Sequence, residues 1–76
     1  MDINEKLKQI IASQLRIEAD SVEDNTDVVD DLGADSLDIV EILMVVEEQF
    51  GVSVPDDVVP GLRTLADLQA YIESNL

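Results

Sequence analysis

Between Asp35 and Gly51 the residues Ile39, Leu43, Val46 and Phe50 recur at alternating steps of four and three, the spacing that lines one face of an α-helix. Ile42 widens that face. Such a helix is stabilised mainly by covering its apolar face rather than by intrinsic propensity, so the remainder of a 76-residue chain has to supply the cover. Two further stretches can do so. Asp2-Ile3-Asn4-Glu5 has the form of a capping box with aspartate in the capping role. Ile3, Leu7, Ile10, Ile11 and Leu15 follow at helical spacing, which predicts a first helix over residues 3–15. Thr64-Leu65-Ala66-Asp67 is a second start of this type, and Leu65, Leu68, Tyr71 and Ile72 continue it as the last helix.

The central helix also carries end signals. Asp35 suits the N-cap, Asp38 places a carboxylate in the first turn where the helix dipole favours it, and Gly51 follows Phe50 as a stop, giving a helix over residues 36–50. Val52, Ser53 and Val54 then lead to Pro55, and residues 56–59 have room for one helical turn before Pro60 and Gly61 end it. The stretch from Arg16 to Asp35 lacks sustained periodicity and is rich in Asp, Glu, Asn, Ser and Thr. Ile17, Val22, Val28, Val29 and Leu32 nevertheless give it apolar pins. So long an ordered loop is uncommon unless it has a function. The expected fold is all-α. Residues 1–76 form a single domain, a small bundle of three main helices plus one short helix, with a long ordered loop between helices one and two.

A chain of this length can enclose one modest core. A hydrophobic content of 46% and a mean hydropathy of +0.10 argue for collapse rather than disorder, despite the charge. That core is aliphatic, with Phe50 and Tyr71 as the only aromatics, and the absence of cysteine rules out disulfides and thiolate metal sites. The net charge is −14, and Lys6, Lys8, Arg16 and Arg63 are the only bases, so nothing basic stands between Ile17 and Leu62. Self-repulsion of this size opposes compaction, and stability should rise with ionic strength. Nucleic acid is excluded as a partner, because phosphate backbones require Lys and Arg. Basic proteins or cations are the natural complement. No run is apolar and long enough to span a bilayer, and no charged-then-apolar leader is present. The expectation is a cytoplasmic monomer with no stable membrane insertion.

Chemistry is most plausible at Ser36, where the glycine-containing Leu32-Gly33-Ala34-Asp35 meets the central helix. A hydroxyl there either helps start the helix or offers an oxygen for attachment of an anionic group, since unpaired amides and the positive end of the dipole favour a phosphate. With no histidine and no cysteine, Ser–His and Cys–His nucleophiles are excluded. A Ser–Lys pair with Lys6 or Lys8 has nothing in the sequence around those lysines to support it. The many carboxylates make any single acid–base pair uninformative. Neither Asp24-Thr26-Val28 nor Asp30-Leu32-Ala34 has the ligand alternation of an EF-hand loop. A looser cation site at Asp30, Asp31, Asp35 and Asp38 and plain repulsion among solvated carboxylates stand as equal alternatives.

Leu37, Glu41, Met44 and Glu48 fall on one stripe of the central helix, with Asp38 and Glu47 beside it. A mixed acidic and apolar stripe suits an interface. Its alternative is that Leu37 and Met44 belong to a broad core face.

Asp35-Ser36-Leu37, preceded by Asp31-Leu32-Gly33-Ala34 and followed by Asp38-Ile39-Val40-Glu41, resembles the attachment motif of acyl carrier proteins. The resemblance extends over essentially the whole chain, through Ile10-Ile11, Gln14-Leu15, Glu47-Glu48-Gln49-Phe50, Val54-Pro55-Asp56 and Tyr71-Ile72. It implies a free-standing, fatty-acid-synthase type of carrier that is not itself an enzyme. Ser36 would receive 4′-phosphopantetheine from coenzyme A as a phosphodiester, and acyl chains would ride as thioesters on the distal sulfur. The implied partners are a phosphopantetheinyl transferase and fatty-acid synthase enzymes with basic patches. By the same resemblance, Asp35, Leu37, Asp38, Glu41, Met44, Glu47 and Glu48 form the surface those partners read. Val28, Ile42, Val46, Val54, Val59, Leu62 and Leu68 line the interior that shelters an acyl chain, with ordinary core packing as the alternative for each.

The chain departs from that pattern in three places. Gly51 and Ser53 stand where acidic residues are common, Val58-Val59-Pro60-Gly61 replaces a more acidic third helix, and Arg16 occupies a frequent glycine position. The rival readings are a polyketide or peptidyl carrier, an acidic cation-binding or interaction domain in which Ser36 only starts a helix, and a small serine hydrolase.

Overall fold

The computed structural model describes residues 2–76. It contains three α-helices, α1 (Ile3–Leu15), α2 (Ser36–Phe50) and α3 (Leu65–Asn75), with 3-10 turns at Ala19–Ser21 and Val59–Gly61. No strand is formed among the described residues; a single antiparallel bridge joins Asp27 to Thr64. The three helices stand where the periodicity places them, because the same side chains set both the spacing and the burial. Leu7 and Ile11 of α1, Ile42, Leu43 and Val46 of α2, and Leu65, Leu68 and Ile72 of α3 meet in one core. Helix α1 packs against both α2 and α3.

Each helix start is capped by its own sequence. Asp2 accepts from the Asn4 amide at 3.0 Å. Asp35 with Asp38, and Thr64 with Asp67, close reciprocal capping boxes. Gly51 ends α2 in the left-handed region at φ 68°. Arg16 ends α1 at φ 59°, a conformation that costs a residue with a Cβ about 1–2 kcal/mol. Arginine supplies the turn and pays the strain.

The short helix expected over residues 56–59 is displaced. Asp56–Val58 form a turn and the 3-10 segment is Val59–Gly61, which contains Pro60 and Gly61 instead of being ended by them. Proline is tolerated there because the amides of a first turn have no helical partner to lose. The long loop is ordered as expected, but Val29 is not one of its pins. It is 41% exposed, while Val22, Val28 and Ala34 are buried.

Candidate functional site

The loop that delivers the chain to α2 is organised by one side chain. Asp27 accepts from the amides of Val29 at 2.8 Å and Asp30 at 2.9 Å, and its own amide donates to the Asp31 carboxylate at 2.8 Å. Across the bundle, the Arg63 guanidinium donates to both Asp27 oxygens and also reaches Asp30 at 3.3 Å. The backbone follows the same line, with Val28 N–H donating to the Arg63 carbonyl and Ala66 N–H to the Asp24 carbonyl, each at 2.9 Å. The Asp30 amide, and then the Arg63 guanidinium, hold the Asp27 carboxyl below the usual carboxylate range. Asp27 in turn raises the pKa of Arg63. The sequence reading missed Asp27. Its one signal was Arg63, the only base beyond Arg16 and therefore a demand for an acid somewhere in the fold.

Beyond this knot Gly33 turns the chain at φ 73°, Ala34 buries its methyl, and Asp35 enters α2. The Asp35 carboxylate accepts from the Asp38 amide at 2.9 Å, and the Asp38 carboxylate accepts from the Asp35 amide at 3.2 Å. The capping work is thus complete without Ser36. The serine occupies the first position of the helix, exposed, and no other side chain or backbone group among the described residues engages its hydroxyl. A helix-starting role is superfluous for it. An anion joined to that oxygen would lie at the amino end of a 15-residue helix, where dipole and free amides favour negative charge.

A serine hydrolase does not assemble. Lys6 sits over the Phe50 ring, 5.7 Å from its centroid, and reaches Gln49 Oε1 at 3.4 Å. That is the far end of α2 from Ser36, about 20 Å along the axis at 1.5 Å per residue, and Lys8 is only half a turn away from Lys6. The loose cation site does not assemble either. Asp30 pairs with Arg63, Asp31 accepts from the Asp27 amide, and Asp35 and Asp38 cap α2. Among the described residues no three acidic side chains gather as metal ligands.

The stripe on α2 faces solvent. Leu37 is 64% exposed and Met44 62%, which rules out the alternative that they belong to a broad core face. Val40, between them and 53% exposed, completes an apolar line that the sequence reading passed over. Glu48 is exposed beside it. Glu41 and Glu47 are half-buried and already engaged, the first by Gln14 Nε2 of α1 and the second by the Val54 amide at 2.7 Å. Of the interior residues, Val28, Ile42, Val46, Val54 and Leu68 are buried, whereas Val59 and Leu62 are half-buried around the same core. A cleft of about 350 Å³ opens between α2 and the segment after it, lined by Leu43, Met44, Val54 and Val59 among others.

Residues 5–72 match the family model described as the phosphopantetheine attachment site. The acyl carrier protein of Zymomonas mobilis is 46% identical over 74 residues, covering 97% of this chain and 95% of that protein. That of a Bradyrhizobium species is 43% identical over 74 residues, covering 97% and 94%. Among solved structures, the acyl carrier protein from Enterococcus faecalis superposes with a TM-score of 0.83 at 34% identity, covering 96% of this chain and 92% of that one. With the capped helix, the free serine and the acidic stripe, these matches make the chain a member of the acyl carrier protein family.

Proposed function

We propose that this chain carries acyl groups for fatty-acid biosynthesis on a 4′-phosphopantetheine arm joined to Ser36. The observation that carries the assignment to Ser36 is its spare hydroxyl, exposed at the first position of α2 while Asp35 and Asp38 do the capping. When bound, the arm supplies the thiol that a chain without cysteine lacks. The protein's own residues hold and present it. The α2 amino end stabilises a phosphate on Ser36 Oγ, Gly33 and Ala34 fix the approach of the loop, and the Asp27–Arg63 knot keeps that loop from swinging.

In this reading Leu37, Val40 and Met44 form the apolar contact with partner enzymes. Asp35, Asp38, Glu41, Glu47 and Glu48 surround it with negative charge, which raises encounter rates with basic patches and sets register more than it adds affinity. Binding of that kind is modest and salt-sensitive, as a carrier that must dock and leave requires. The buried side chains of Val28, Ile42, Val46, Val54 and Leu68, with Val59 and Leu62 at the edge, are the interior that receives the acyl chain. The carrier acts as a cytoplasmic monomer, and no described helix is long and apolar enough to cross a membrane.

The test is incubation of the unmodified protein with coenzyme A and a phosphopantetheinyl transferase, followed by intact mass. One added phosphopantetheine on the wild type and none on Ser36→Ala is the expected result. An unmodified wild type, or a modified Ser36→Ala, overturns the assignment.

A further inference from the structure

The carboxylate of Glu47 stands at two places at once. It lies on α2 beside the exposed line of Val40 and Met44, and its Oε2 accepts from the Val54 amide at 2.7 Å. Val54 is buried and forms a wall of the 350 Å³ cleft, whose rim includes Glu47 itself. A hydrogen bond to an ionised acceptor is stronger than one between neutral groups. The Val54 amide has no other partner among the described residues, so the carboxylate is all that keeps this donor satisfied in its buried position.

The segment depends on that bond to an unusual degree. Between Gly51 and Val59 the remaining backbone bonds are local turns, Val58 N–H to the Pro55 carbonyl and Val59 N–H to the Asp56 carbonyl. Beyond Glu47, the side-chain bond that ties the segment to another helix is Tyr71 Oη–H donating to the Ser53 carbonyl at 2.7 Å. The segment therefore hangs on two side-chain hydrogen bonds and on the burial of Val52 and Val54. The Tyr71 bond is exposed to solvent, and the Glu47 bond is half-buried, its carboxylate lying at the rim of the cleft where a group from outside can reach it.

We propose that Glu47 is a positioning residue for the cargo cleft: its carboxylate latches residues 52–59 against α2 and gives way when a basic group takes that carboxylate from the solvent side. A cation paired with Glu47 lowers its strength as an acceptor for Val54, and the segment loosens where the cleft opens. The cargo half of this proposal rests on the carrier reading above, whereas the latch itself does not.

The test measures amide hydrogen exchange at Val54 in the unmodified protein, with and without an oligolysine peptide. It compares the wild type, Glu47→Ala, Glu47→Gln and, as a remote charge control, Glu18→Gln. Glu47→Ala should exchange Val54 about tenfold faster, the equivalent of one net hydrogen bond. Glu47→Gln, which keeps an acceptor oxygen, should restore most of the protection and abolish the acceleration that oligolysine causes in the wild type and in Glu18→Gln. A Val54 amide equally protected in Glu47→Ala overturns the latch, and so does an oligolysine response that survives in Glu47→Gln. In the octanoyl-loaded protein, hydroxylamine should cleave the thioester several-fold faster in Glu47→Ala than in the wild type or Glu18→Gln. Equal cleavage overturns the cargo role. A wild type that cannot be loaded overturns the carrier reading and the cargo role with it, while the Val54 exchange still decides the latch.

Discussion

The two irregular regions of this bundle are held in opposite ways. The loop from Arg16 to Asp35 is the longer one and has no helical periodicity, yet its Asp27 knot, its backbone bonds to Arg63 and Ala66 and the buried Val22, Val28 and Ala34 tie it across the bundle to the start of α3. The segment from Gly51 to Leu62 is shorter, and among the described residues two side-chain hydrogen bonds tether it to the helices, Val54 N–H donating to Glu47 and Tyr71 Oη–H donating to the Ser53 carbonyl. Length is thus a poor guide to how firmly a segment is tied. What decides it is how many donors and acceptors find partners on another element. In the proposed carrier this division would hold the loop before Ser36 more firmly than the wall beside the cleft.

The largest effect expected from breaking this contrast comes from the paired truncations Val28→Ala and Val54→Ala. Val28 is sealed between the knot and the core, so its truncation should cost about 2 kcal/mol in chemical denaturation, whereas a yielding Val54 site should collapse and lose about 1 kcal/mol. Equal losses would remove the distinction. Next, Tyr71→Phe deletes the bond to the Ser53 carbonyl and should cost about 1 kcal/mol, with faster amide exchange confined to residues 52–59. Faster exchange that reached the 22–34 loop would show the two regions to be coupled.

A smaller gain is expected from Arg16→Gly. Relief of the left-handed turn, offset by glycine's larger loss of chain entropy, should raise stability by about 0.5 kcal/mol. Thermal melts check this directly, and a lowered Tm would mean that the arginine side chain contributes more than its strain costs. The smallest effect belongs to Asp27→Asn, because the ion pair it weakens is exposed to solvent. Asp27 is held below its ordinary pKa in the folded chain, so its contribution is present above about pH 4 and is lost as pH falls through the depressed value. The wild type should therefore melt slightly above the variant at pH 7, and the two should converge as pH falls below the ordinary carboxylate range. A gap that does not shrink at all over that acid range would argue that the carboxylate's charge is not what matters.

Much of this was legible in the sequence, for identifiable reasons. Helix limits at Ile3, Leu15, Ser36, Phe50 and Leu65 are set by caps and periodicity that lie within a few residues of one another. Ser36 stood out because it joins two local signals, a glycine turn and an N-cap aspartate. Contacts between distant segments were not legible. Asp27 and Arg63 are 36 residues apart, and nothing local marks that aspartate among 18 acidic residues. Glu47 read as a surface acid because the chain reversal at Gly51 that returns Val54 to it is a tertiary event. Pro60 was taken as a helix end because its position within a turn, first or last, depends on packing that the sequence does not display.

The central claim is that one hydroxyl among five serines is the anchor, and peptide mapping of the transferase-treated protein tests it most directly. The account predicts that all of the added phosphopantetheine resides on the peptide containing Ser36, and none on those containing Ser13, Ser21, Ser53 or Ser74. Phosphopantetheine on any of those four, with Ser36 unmodified, would contradict it.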